Sequence, residues 1–121
     1  MLPGLKSETV RVGPALVCSF TGDLILDSEP QAEQALNAAL DQHPGLLVVD
    51  LAGVELFTST GLNLLLTTRR RAAAEGVPLV LLAPPQQTLR VLEITDTAKL
   101  FTLYADVGDA LRHHPPTTPR G

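Results

Sequence analysis

Three hydroxyl side chains in succession, Thr58, Ser59 and Thr60, stand immediately before Gly61 in the octet ELFTSTGL, Glu55 to Leu62. An apolar run, LLVVDLAGV, leads into the octet and NLLLTTRRRAAAEG leads away, so the hydroxyls fall where a strand gives way to a helix. The first N–H groups of a helix lack intrahelical partners, and the helix dipole places about half a positive charge at that end. Oxygen is favoured there. One hydroxyl, on Thr58 or Ser59, is accounted for as an N-cap contributing about 1 kcal/mol, with Thr60 then turned to solvent. A site that holds or receives an anion accounts for all three. A phosphate suits such a helix start, bound there or covalently attached to a hydroxyl, and Gly61 leaves the approach to Thr60 open.

Other chemistries lack their residues. No G-x-x-x-x-G-K-[ST] and no G-x-G-x-x-G follows a strand, so nothing marks a nucleotide site. A serine hydrolase needs a base, yet the histidines are His43 before a proline and the pair His113-His114, and TSTGL is not G-x-S-x-G. That pair has no carboxylate or cysteine at ligand spacing, so no metal and no cofactor is expected. Asp50 is placed to orient the turn at the end of its strand, or to be a solvated loop carboxylate. Arg69, Arg70 and Arg71 read as a solvated face, with the stem of Arg69 lying along the apolar stripe. In a second reading Arg70 joins Asn63 and Thr67 on one helical side, as a docking face for an acidic partner.

The elements that must position the octet follow from periodicity. ETVRV and ALVCSF are predicted strands across the turn Gly13-Pro14, a hairpin. After Thr21-Gly22-Asp23, residues Ala32, Ala35, Leu36, Ala39 and Leu40 recur at helical spacing, with Ser28 and Pro30 at the start and HPG at the end. LLVVDL is a strand buried on both faces and closed by Asp50. Leu62, Leu65, Leu66, Ala72 and Ala73 form the apolar stripe of the next helix, with Gly76 as its stop. VPLVLLA is a second buried strand, Leu89, Val91 and Leu92 mark a short helix, LFTLY a last strand, and DVGDALRHH a final helical turn or two. The order β-β-α-β-α-β-α-β-α predicts an α/β fold with a mixed, mostly parallel sheet, interspersed helices and an N-terminal β-hairpin.

Length and composition agree with one domain: 121 residues, 45% of them hydrophobic, with a formal net charge of −4. That charge, and the absence of Trp beside one Tyr and three Phe, disfavours a nucleic-acid surface. The lone Cys18 excludes an intrachain disulfide framework and fits a reducing compartment. No apolar stretch reaches the length of about 20 residues that spans a bilayer, and the N-terminus lacks a secretory signal, so a soluble cytoplasmic protein is expected. The expected division is an extension over residues 1–7, one domain over 8–112, and a disordered tail over 113–121.

At these residues the chain resembles a STAS domain, the fold of bacterial anti-sigma factor antagonists and of sulfate-transporter tails. The resemblance rests on TGDL (Thr21 to Leu24), LLVVDLAGVELFTSTGLNLLL (Leu46 to Leu66) and GVPLVLLAPPQQTLRVLEITDTAKLFTLYADVGDAL (Gly76 to Leu111). It implies a STAS-like fold, no enzymatic activity, and an antagonist that binds a GHKL-type anti-sigma factor serine/threonine kinase and releases a sigma factor. Partner switching follows: phosphorylation breaks the complex and a phosphatase restores it. The residue before the motif glycine is the family's phosphoacceptor, which is Thr60 here, with Ser59 as the alternative. Thr58, Ser59, Thr60, Gly61, Asn63, Thr67, Arg70 and Asp23 are the implied partner-binding residues. Where relatives often carry Asp, this chain has Thr58 and Ile25, a change that bears on kinase recognition. A homodimer is compatible with the resemblance. So are two other roles, an accessory subunit of a lipid or anion transporter and a scaffold of a stress-signalling complex.

Overall fold

The computed structural model describes residues 4–113, which form one five-stranded sheet and four α-helices. Strands β1 (Lys6–Val12) and β2 (Ala15–Leu24) make an antiparallel hairpin across Gly13-Pro14, where Gly13 takes the left-handed φ of 62° that the turn requires. Helix α1 (Glu29–Asp41), β3 (Leu46–Phe57), α2 (Ser59–Ala74), β4 (Leu79–Leu82), α3 (Gln86–Ile94), β5 (Thr102–Tyr104) and α4 (Val107–His113) follow in chain order. The strands lie in the sheet in the order β1-β2-β3-β4-β5, and every pair after the hairpin is parallel. This is the α/β architecture that the periodicity predicts.

Strand β3 shows why the run LLVVDL has to be central. Its side chains alternate between faces, so Leu47, Val49 and Leu51 enter the core built with Ala32, Leu36 and Leu40 of α1, Leu62 and Leu65 of α2, and Leu92 of α3. Leu46 and Val48 enter the opposite core, closed by Ala110 of α4 over Ala15, Val17, Val80 and Leu82. Both faces are therefore covered, which is what removes the polar alternation from its sequence.

Several boundaries differ from expectation. The hairpin ladder continues to Lys6 opposite Thr21, so β1 takes in two residues of the expected N-terminal extension. The expected tail begins at 113, but His113 ends α4, its ring stacked on that of Tyr104 with centroids 5.3 Å apart. Residues 114–121 of that tail lie outside the described residues. The larger correction concerns Asp50, which sits inside β3 and does not end it. Its carboxylate accepts hydrogen bonds from the Ser19 hydroxyl at 3.0 Å and from the Ala52 N–H at 3.0 Å, beside the irregularity between Ser19 and Thr21 in the β2–β3 ladder. The pairing then resumes, Thr21 opposite Gly53 through Leu24 opposite Phe57. Thr21-Gly22-Asp23 is thus strand as well. Gly53 is a close-approach residue: a Cβ there would lie 2.9 Å from the Phe20 carbonyl oxygen.

Cys18 on β2 is fully buried, and burial pushes its thiol above its ordinary value of 9.0, partly offset by a hydrogen bond with Thr9. The neutral thiol is the form that the fold favours. Its contribution to stability is present below the unfolded-state pKa and is lost as pH rises through the folded one. Equilibrium urea unfolding is accordingly expected to show stability falling above about pH 9 by up to about 1.4 kcal/mol per pH unit, and Cys18→Ala is expected to flatten that slope.

Candidate functional site

Because β3 runs to Phe57, the first three residues of the octet are strand, Thr58 is the junction, and the last four begin a helix. Thr58 occupies the N-cap position with extended φ and ψ of −115° and −177°, and α2 starts at Ser59. The first turn is not capped by a side chain. Instead the Thr58 hydroxyl donates to the Leu24 carbonyl at 3.2 Å, and the Thr58 N–H donates to the same oxygen at 3.3 Å. The expected capping role of a hydroxyl is therefore not realised. Thr58 ties the turn to the end of β2.

The consequence for the helix start is chemical. The Leu62 N–H closes the first turn on the Thr58 carbonyl at 3.1 Å, which leaves the N–H groups of Ser59, Thr60 and Gly61 without an intrahelical acceptor. Ser59 is exposed and Thr60 half-buried, and among the described residues neither hydroxyl has a hydrogen-bond partner. No Lys or Arg occurs between Arg11 and Arg69, a stretch that contains Asp23, Asp27, Glu29, Glu33, Asp41, Asp50 and Glu55. The partial positive charge at this turn is that of the helix end.

Gly61 has a different duty from the one expected. It is buried, and a Cβ on it would lie 2.8 and 2.9 Å from the Phe57 ring and 3.2 Å from Leu24 Cβ. The glycine admits the ring on which α2 is seated. It does not serve by clearing a path to Thr60.

A further support comes from α3. The side-chain amide of Gln87 spans the end of β3, its Oε1 accepting from the Phe57 N–H at 2.9 Å and its Nε2 donating to the Phe57 carbonyl at 2.9 Å. β4 ends opposite Asp50, so no strand borders Phe57 on that side, and Gln87 makes the bonds that a strand would make. Sequence reasoning missed this residue. Its partner is distant in the chain, and a glutamine after two prolines carries no local signal.

The remaining residues of the predicted set divide by face. Ser59, Asn63, Thr67 and Arg70 are all exposed and follow one another at helical spacing along one side of α2. Arg70 reaches the Thr67 hydroxyl at 3.5 Å and has no ion pair among the described residues. Its neighbours are committed within the chain. Arg69 donates to the Leu100 carbonyl at 2.8 Å, while Arg71 meets Asp41 at 2.6 Å and Glu75 at 2.7 Å, contacts that hold its guanidinium in the charged form. Of the arginine run, Arg70 is the one left for a partner. Asp23 lies on β2 opposite Leu56, on the wall of an open groove of about 460 Å³ that Ile25, Asp27, Ser28 and Gln31 also line. Its backbone carbonyl accepts from the Ser28 hydroxyl at 2.6 Å. Among the described residues no group of three His, Cys, Asp or Glu could hold a metal ion, and no helix is long and apolar enough to cross a membrane.

Comparison with known proteins places these features. The family model described as the STAS domain matches residues 6–110. The anti-sigma-F factor antagonist RsfB of Mycobacterium tuberculosis is 30% identical over 95 residues, which are 78% of this chain and 77% of that protein. A crystal structure of an anti-sigma factor antagonist from Mycobacterium paratuberculosis superposes with a TM-score of 0.85 at 29% identity, covering 92% of this chain and 94% of that one. The Bacillus cell fate determinant SpoIIAA in its phosphorylated form shares the fold, with a TM-score of 0.69 at 17% identity over 89% of this chain and 98% of that one.

Proposed function

This chain belongs to the STAS domain family, and on that premise we propose that it is a cytoplasmic anti-sigma factor antagonist whose binding is switched by phosphorylation of Thr60. Like the antagonists it resembles, it is a regulatory binding protein and not an enzyme. Its partner is an anti-sigma factor serine/threonine kinase of the GHKL type, engaged through the turn at Thr58 and the α2 face bearing Ser59, Asn63, Thr67 and Arg70. While unmodified it occupies that partner, and the sigma factor is released.

The observation that carries the reading is the Thr60 hydroxyl: half-buried, without a hydrogen-bond partner among the described residues, and beside N–H groups that no side chain among them caps. In the kinase complex Thr60 Oγ1 attacks the γ-phosphorus of ATP, its proton passes to a kinase base, and ADP leaves. The phosphate gains the favourable field of the helix end. Buried against a partner without matching cations, the same group costs several kcal/mol, so the complex separates while the fold persists. A phosphatase that hydrolyses the ester returns the protein to its binding form.

The test is reconstitution. The unmodified protein mixed with an anti-sigma factor encoded beside it is expected to give a stoichiometric complex by size exclusion and to displace the bound sigma factor. Failure to bind any such anti-sigma factor, with the protein shown to be folded, would exclude the antagonist role.

A further inference from the structure

Resting on the reading of Thr60 as phosphoacceptor, we infer that Gln87 is a positioning residue for that hydroxyl, acting with Thr58 as a two-point clamp on the turn that presents it. The turn is held from opposite sides. On one side the N–H and hydroxyl of Thr58 both donate to the Leu24 carbonyl, at 3.3 and 3.2 Å, which fixes the turn to the end of β2. On the other, the Gln87 amide exchanges two hydrogen bonds of 2.9 Å with the backbone of Phe57, which fixes it to the start of α3. Thr60 is the third residue beyond Phe57, and the first turn of α2 has no side-chain cap of its own. What orients the acceptor is therefore the clamp and the seating of Phe57 against Gly61.

The chemistry of the clamp is specific. A primary amide both accepts from the Phe57 N–H and donates to the Phe57 carbonyl; an ionised carboxylate at position 87 keeps the first bond and sets a negative charge against the carbonyl. Likewise a hydroxyl at position 58 donates to Leu24, which an ionised aspartate cannot do. This gives the neutral Thr58 a task inside the chain. Phosphoryl transfer depends steeply on how well the attacking oxygen is placed, so the clamp belongs to the acceptor's reactivity as much as to the fold.

The test uses the full chain and two independent readouts. Gln87→Glu and Thr58→Val are compared with wild type and with Gln86→Ala, whose side chain is exposed and makes no such bond, at a temperature where circular dichroism shows all four folded. Amide hydrogen exchange at residues 57–62 is expected to accelerate at least tenfold in the two clamp variants and not in Gln86→Ala, while β2 and the centre of β3 keep their protection. With the cognate kinase, kcat for phosphorylation of Gln87→Glu is expected to fall about 10- to 100-fold with KM little changed, because Gln87 lies outside the docking surface, whereas Thr58→Val, at the docking turn, is read by exchange alone. Faster exchange with undiminished kcat overturns the positioning role alone, as does unchanged exchange at the turn. A wild-type chain that takes no phosphate from any cognate kinase removes the acceptor reading and the positioning role together.

Discussion

Phosphorylation of Thr60 is expected to weaken the complex with the anti-sigma factor by about a thousandfold, and Thr60→Glu by about 10- to 100-fold, with the thermal midpoint of the free protein nearly unchanged. The asymmetry comes from where the charge sits. In the free chain Thr60 is half-buried at the start of α2, where added negative charge is stabilised by about 0.3–1 kcal/mol. In a complex the phosphate, carrying about −1.5 to −2 charges, is desolvated against a partner surface without matching cations. A penalty of about 4 kcal/mol corresponds to the thousandfold loss. Glutamate brings one charge and a planar head, hence the smaller effect. Thr60→Ala, which adds no charge, is expected to bind within about threefold of wild type. Calorimetric titration of the four forms measures all of this. Equal affinities for Thr60→Glu and Thr60→Ala would contradict it.

The second large effect lies directly beneath the acceptor. Phe57 is 1% exposed, and its ring occupies the space that the missing Cβ of Gly61 leaves. Phe57→Ala is expected to cost about 3–5 kcal/mol, a large share of a small domain's stability. Gly61→Ala alone drives a methyl to within 3 Å of the ring; the overpacking cost of about 1–3 kcal/mol exceeds the gain of about 1 kcal/mol in helix propensity, so a modest net loss is expected. In the Phe57→Ala background the added methyl enters the cavity, and Gly61→Ala becomes neutral or stabilising. A double-mutant cycle by urea denaturation is expected to give a coupling of about 1–3 kcal/mol. Costs that add to within about 0.5 kcal/mol would show that ring and glycine are independent.

What the sequence discloses of this molecule, and what it hides, divides by the range of the interactions. The order of elements is legible because each element announces itself within a few residues, LLVVDL by its unbroken apolar character and α1 by Ala32, Leu36, Ala39 and Leu40. The α2 stripe is legible only in part. Leu62, Leu65 and Ala72 are buried as expected, but Ala73 is exposed and Leu66 half-buried, while Gly61, Leu64 and Thr68 are buried in their place. Glycine and threonine carry little apolar signal. Thr68 hides its hydroxyl by donating to the Leu64 carbonyl at 2.8 Å, a device that periodicity does not see.

The octet shows the same division. That hydroxyls begin a helix after a strand is local information, and Ser59, Asn63, Thr67 and Arg70 fall on one exposed face as spacing requires. The individual duties of Thr58, Gly61 and Gln87 are settled by partners elsewhere in the chain, at Leu24, in the Phe57 ring and at the Phe57 backbone. The same holds for Asp50. A carboxylate after an apolar run reads as the end of a strand, whereas here Ser19 and the Ala52 N–H satisfy it and let β3 continue for seven more residues to Phe57.

The most direct measurement of the switch is the site of modification itself. The protein is incubated with its cognate anti-sigma kinase and ATP, then digested and sequenced by tandem mass spectrometry. One phosphate on Thr60 is predicted, absent from Thr60→Ala and still present in Ser59→Ala. A phosphate found on Ser59, or none on a chain that binds the same kinase, would contradict the assignment of Thr60.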